Sequence, residues 1–179
     1  METPVPIPAT GGPPLVELMI EPAVQTLADQ FRVVTNAYLK TLDGIDRDAL
    51  LTRPGARSNS LLWVAGHLVQ SRARLINVLG GTRDLPWPEL FRTGSTVVDP
   101  GSYPDAAAII EQWRDLTEEL MRRLEALGPA DLSKDAPPRV ASPDGSVRGA
   151  IALFAFHEGY HVGQLGFLRK WLGYGSLFD

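Results

Sequence analysis

The sequence predicts an all-α fold, a four-helix bundle with up-down-down-up topology and a long crossover between the second and third helices. Three observations carry this reading. Four stretches place apolar residues three and four apart, the period of an amphipathic helix. No stretch shows the two-residue alternation of a half-buried strand. The connection between the second and third helices, Thr82 to Tyr103, is rich in proline and glycine and about 22 residues long, a reach of roughly 70 Å when extended. A helix of about 20 residues spans roughly 30 Å, so this linker can cross the whole bundle and let its two helices run parallel.

The first helix is read over Leu15 to Leu42, where Leu27, Phe31, Val34, Tyr38 and Leu42 form one stripe. Pro22 suits a first turn better than an interior, which leaves Leu15 to Ile20 as a separate turn or overlapping start. Asp43-Gly44 is the stop, and Ile45 to Gly55 reads as a short polar connector. Ser58, Asn59 and Ser60 offer caps for a second helix from Leu61 to Leu79, with Leu61, Val64, Leu68, Ser71, Leu75 and Leu79 as its seam and His67 on that face. Gly80-Gly81 terminates it. The third helix opens at Pro104 or Asp105 and carries Ala108, Trp113, Leu116, Leu120, Leu124 and Leu127, with one irregular five-residue step. Gly128-Pro129 closes it. After an irregular stretch from Ala130 to Gly145, Ser146 caps a fourth helix to Leu172, whose predicted seam is Ala150, Phe154, His157, His161, Leu165, Leu168 and Leu172.

With 179 residues, 44% hydrophobic and 21% charged, the chain reads as one domain, 15–179, behind a loose lead-in, 1–14. A net charge of -4 and scattered arginines give no footprint for nucleic acid. The lead-in lacks a secretory signal, and no apolar run approaches the roughly 18 residues of a membrane span, so a cytoplasmic protein without membrane association is expected. The absence of cysteine removes disulfides, thiolate ligands and cysteine nucleophiles, leaving nitrogen and oxygen to hold any metal.

The chain has three histidines, and all fall on inferred core faces. His157 and His161 are four apart, so in a helix both imidazoles can converge on one ion, and His67 can be brought alongside by its own helix. Three imidazoles leave coordination positions open, the pattern of a catalytic rather than a closed structural centre.

His157-Glu158-Gly159-Tyr160-His161-Val162-Gly163-Gln164-Leu165, followed by Leu168-Arg169-Lys170-Trp171-Leu172-Gly173, resembles the C-terminal signature of the DinB-like metal-binding proteins. Ser58-Asn59-Ser60-Leu61-Leu62-Trp63-Val64-Ala65-Gly66-His67-Leu68 is similar to the upstream element that supplies that family's third histidine. The resemblance implies a four-helix bundle with the crossover topology, often a homodimer, holding a divalent cation (Zn, Ni, Fe or Mn) on His67, His157 and His161. It also implies a metal-dependent thiol S-transferase or isomerase that takes a small-molecule substrate and a bacillithiol- or mycothiol-type cosubstrate. Since the chain lacks cysteine, a nucleophilic sulfur has to come from such a cosubstrate. The alternative is a non-catalytic protein in which the metal pins two helices together for binding or stress response.

His157-Glu158-x-x-His161 also spells the zinc-peptidase motif, in which the glutamate is the general base. The continuation fails: Gly163 is one residue early, position 167 is Phe167, no glutamate follows Glu158, and no substrate-binding strand is evident. Glu158 is instead read as a hydrogen-bonding residue at the edge of the site, a partner for an arginine, or a solvent-facing side chain. Gln164, three residues past His161, is positioned to orient a ligand or water or to pack against a neighbour. Arg74, two turns beyond His67, is a candidate for an anionic substrate group or a surface charge.

Overall fold

The computed structural model describes residues 21–84, 87–95 and 99–177. The lead-in 1–14 and the early turn at 15–20 lie outside these residues. Pro22 opens α1 (Pro22–Leu42) at its first position, where the amide it lacks would be unpaired anyway. Gly44, at a φ of +70°, turns the chain after it. The predicted polar connector then contains a helix, α2 (Arg47–Leu51), nucleated by Asp46, whose side chain accepts from the Ala49 amide at 2.9 Å. Five residues are too few for a periodic signal. Of the three cap candidates Ser60 is the one used: its hydroxyl accepts from the Trp63 amide at the start of α3 (Leu61–Val78). That helix closes where Gly80 adopts a φ of +83° and Gly81 donates back to the Ile76 carbonyl.

Among its described residues the crossover from 79 to 105 contains one 3-10 turn, Pro100–Ser102, before α4 (Ala106–Glu125). A four-residue helix, α5 (Pro129–Leu132), sits in the stretch expected to be irregular. Ser146 caps α6 (Val147–Trp171) through the Gly149 amide, 3.0 Å away, as its position predicts.

Named contacts fix the helix directions. Arg32 and Tyr38 of α1 meet Glu125 and Trp113 of α4, so these two run antiparallel. Arg72 and Leu79 of α3 meet Thr117 and Arg123 of α4, so these run parallel. His67 lies against His161, and Ser71 against His157, so α3 and α6 are antiparallel. Gln30 reaches Ala155, and Arg169 reaches the Thr41 and Asp43 carbonyls, so α1 and α6 are parallel. The order is up, down, down, up, and the fold is the predicted four-helix bundle with its long crossover. Among the described residues no helix is long and apolar enough to cross a membrane.

Two predicted seams differ from the buried rows, at the first residue in α4 and over the first four turns of α6. In α4 the core row is Ile109, Trp113, Leu116, Leu120 and Leu124, which removes the irregular step created by starting at Ala108. In α6 the buried row is Val147, Ile151, Ala155, Glu158, Val162, Leu165 and Leu168. His157 and His161 therefore lie beside the core row, half-buried, rather than in its middle. The short apolar residues Ala150 and Ala155 fit either row, and the sequence pattern favoured the row containing Phe154 and Leu172. The tail folds back on the bundle: Leu177 is buried, and the Tyr174 hydroxyl donates to Asp46 at 3.2 Å. Phe178 lies outside the described residues.

Candidate metal centre

Antiparallel packing of α3 on α6 brings His67 beside the one-turn pair His157 and His161. The Nε2 atom of His157 lies 3.3 Å from Nε2 of His67 and 3.1 Å from Nε2 of His161, and the three ligand atoms all fall within 4.8 Å of one another. Nitrogens held about 2.0–2.1 Å from a common ion at tetrahedral or octahedral angles are about 2.8–3.4 Å apart, and the two separations from His157 fall in that range.

Each ring is aimed from its far side. Nδ1 of His67 donates to the Phe91 carbonyl at 2.8 Å, and Nδ1 of His161 donates to Oε1 of Gln164 at 2.7 Å. Both oxygens only accept, so both rings carry their proton on Nδ1 and present an Nε2 lone pair to the centre. The Gln164 amide is oriented in turn by donating its Nε2 proton to the Tyr160 hydroxyl at 3.1 Å. Nδ1 of His157 lies 3.2 Å from the Ser71 hydroxyl. Three converging nitrogens can share one bridging proton at most, whereas a cation satisfies all of them. The donor set therefore fits a divalent metal of the borderline class that imidazole favours.

The crossover supplies the Phe91 carbonyl because it is stitched along one face of α3. Trp63 donates to the Leu90 carbonyl at 3.1 Å, and Gln70 donates to the Trp87 carbonyl at 2.7 Å, on either side of the His67 bond. Gly66 makes this approach possible: a Cβ there would lie well inside van der Waals contact with the edge of the Phe91 ring. Neither the carbonyl nor this role of Gly66 carries a sequence signal beyond the glycine itself. Trp63 also stacks on His67, with ring centroids 5.1 Å apart, fixing the plane of the imidazole.

Electrostatics keep the rings neutral. Burial pushes the His157 imidazole down to about 4, assisted by His161, His67 and Arg74, and burial likewise lowers His67 and His161. Neutral imidazoles are the ligand form.

Glu158 points into the bundle instead. It is fully buried and forms a two-pronged ion pair with fully buried Arg72, through Nε at 3.0 Å and through Nη2. The guanidinium stacks 3.4 Å above the Trp113 ring and donates to Thr35 and Thr117. Burial pushes the carboxyl up while Arg72 opposes the shift. Of the three readings open to Glu158, pairing with an arginine is the observed one. Arg72 lies four residues after Leu68, a helical spacing that places its charge on the buried side of α3.

A cavity of about 570 Å³ opens beside the trio, bordered by His67, Ser71, Arg74, His157 and Tyr160 and walled by apolar side chains that include Leu153 and Phe154. Arg74 thus lies at the site, exposed at the cavity rim. The centre has a roomy, open side, as a site that exchanges ligands requires.

The model of the DinB superfamily matches residues 30–165, which take in all three histidines and all four long helices in whole or in large part. A crystal structure of a conserved protein from Enterococcus faecalis superposes with a TM-score of 0.66 over 83% of this chain and 96% of that one, at 14% identity. That likeness speaks for the fold alone. None of the curated proteins matches the chain.

Proposed function

The chain belongs to the DinB superfamily, and from that premise we propose that it is a metalloenzyme that uses a divalent ion on His67, His157 and His161. The observation that carries this reading is the convergence of three Nε2 atoms, each ring being held by a partner at Nδ1, with His67 and His157 on the wall of an open cavity. When bound, the ion supplies the Lewis acidity that stabilises a thiolate or hydroxide at neutral pH. Gln164, Ser71 and the Phe91 carbonyl orient the rings, and the apolar walls exclude water from the reacting groups. The reaction we assign is thiol S-transfer or a thiol-dependent isomerisation. In the transfer, the sulfur of a low-molecular-weight thiol replaces a leaving group on carbon and the thiol proton ends on that leaving group. A cosubstrate thiol fits a chain without cysteine.

The exposed side of α6 bears Phe156, Tyr160, Phe167 and Trp171 along one stripe, interrupted by the small Gly163. This stripe supports a homodimer in which a second copy packs along α6.

The test is metal analysis of purified protein and of His161→Ala. The parent should hold one equivalent of a divalent ion and the variant a small fraction of it. Equal stoichiometry in the two would remove the site. Assays pairing bacillithiol or mycothiol with electrophilic acceptors then test the transfer on metal-loaded protein.

A further inference from the structure

The cavity beside the three histidines also takes in Arg74 from α3 and Arg139 from the connection between α5 and α6, and among the described residues no aspartate or glutamate lines it. The chain as a whole carries more acids than bases, 21 against 17. Elsewhere buried or half-buried arginines sit on carboxylates: Arg72 on Glu158, and Arg83 and Arg123 on Glu119. Arg74 and Arg139 are instead exposed at the cavity mouth, and among the described residues neither lies within ion-pair distance of a carboxylate. Arg139 also has a φ of +68°, the left-handed region, and is the one described residue other than glycine to do so. That conformation is unfavourable to any residue with a Cβ, and it occurs here on a cavity wall next to ligand-type histidines. Val140, Leu153 and Phe154 make most of the remaining wall apolar.

We infer that this cavity binds a carboxylate with a flat apolar body, its anionic end held between Arg74 and Arg139 and its body against Leu153 and Phe154, directed at the three-histidine centre. The chemistry on each side of the pocket selects for this class. Guanidinium forks match a carboxylate geometrically and electrostatically. Walls this apolar make a dianionic phosphate costly to desolvate, whereas a single carboxylate is offset by two cations. The volume suits a ligand of ordinary metabolite size. This assignment names the substrate class of the site proposed above, but the arginines and the apolar wall exist whether or not the histidines hold an ion.

The experiment is calorimetric titration of the full-length, metal-loaded protein with cinnamate, its neutral amide cinnamamide, and inorganic phosphate, repeated after chelator treatment. Cinnamate should bind, with the amide and phosphate weaker by about tenfold or more. Arg74→Gln and Arg139→Gln should each weaken cinnamate by about tenfold, leave the amide unchanged, and retain the metal content of the parent. The preference for acid over amide should persist in the chelator-treated sample, so a failure of the metal assignment would not mimic a failure of this one. No binding of cinnamate, equal binding of acid and amide, tighter binding of phosphate, or full cinnamate affinity in both arginine variants would overturn the inference. The last result would place the carboxylate on the metal instead.

Discussion

Replacing Glu158 with glutamine separates the two readings of the H-E-x-x-H spelling. The change keeps the volume of the side chain and removes its charge. Arg72 is left fully buried, with its guanidinium over Trp113 and its carboxylate partner gone. Removing one member of a buried ion pair costs about 3–5 kcal/mol, because the remaining charge stays desolvated. The stacking on Trp113 and the bonds to Thr35 and Thr117 survive, which places the expected loss nearer the lower end. A domain of this size loses about 2–4 °C per kcal/mol, so Tm should fall by about 6–20 °C. Metal content, measured well below the new Tm, should be unchanged, since the carboxylate is directed away from the three Nε2 atoms. The double variant Arg72→Met with Glu158→Leu should recover much of the loss, because apolar pairs of similar volume often replace buried ion pairs at little cost. Thermal and urea unfolding of the parent, Arg72→Met, Glu158→Leu and the double variant give the coupling. A glutamine variant that melts within about 1 °C of the parent, or a double variant no better than the worse single one, would refute the buried-pair account. A glutamine variant that keeps its Tm and loses its metal would return Glu158 to the site.

Gln164→Leu removes the acceptor at Nδ1 of His161 from a half-buried position, so metal affinity should fall about 10- to 100-fold with little change in Tm, read by competition with a chromogenic chelator. Gly66→Ala drives a Cβ into the Phe91 ring, so it should cost about 1–3 kcal/mol and, by displacing the carbonyl that aims His67, weaken metal binding as well. The metal-free protein should lose stability in acid. Its three imidazoles are held below the value of about 6.5 that they have when unfolded, so the unfolded chain takes up protons first as pH falls, and stability that is full above about 6.5 declines as pH drops through the folded value, about 4 for His157. Urea midpoints at several pH values should show this slope, and His157→Gln should flatten it. Phe167→Arg, on the exposed stripe of α6, should convert a dimer to a monomer in sedimentation without altering metal content.

Helix existence was legible because α1, α3, α4 and α6 are long and strongly patterned, and their ends carry recognisable chemistry at Pro22, Ser60, Gly80 and Ser146. The crossover topology followed from chain length alone. The rotation of α6 was not legible, because Ala150, Ala155 and the glycines at 159, 163 and 166 leave its apolar pattern nearly uniform, and a glutamate inside the true core row reads as a reason to reject that row. The histidine trio showed in residue type and spacing. Its orienting groups did not, since Phe91 contributes only a backbone carbonyl and Ser71 is a small residue that any seam accepts.

The ion pair and the histidine cluster explain one another's position. On a helix, successive residues differ by about 100°, so α6 cannot direct His157 and His161 at His67 without turning Glu158 about a quarter of the way round, into the bundle. A glutamate placed there has to be neutralised, and α3 supplies Arg72 one turn beyond the level of His67. Two links therefore join α3 to α6 at adjacent heights, one on the cavity side and one in the core. A single link would let either helix roll about its axis; two links on different faces fix both rotations. Arg72 also ties in Thr35 of α1 and Thr117 of α4, so the rotation that aims the histidines is referred to all four long helices. The glutamate of the H-E-x-x-H sequence thus acts through packing: its ion pair holds the angle at which its two histidine neighbours face His67.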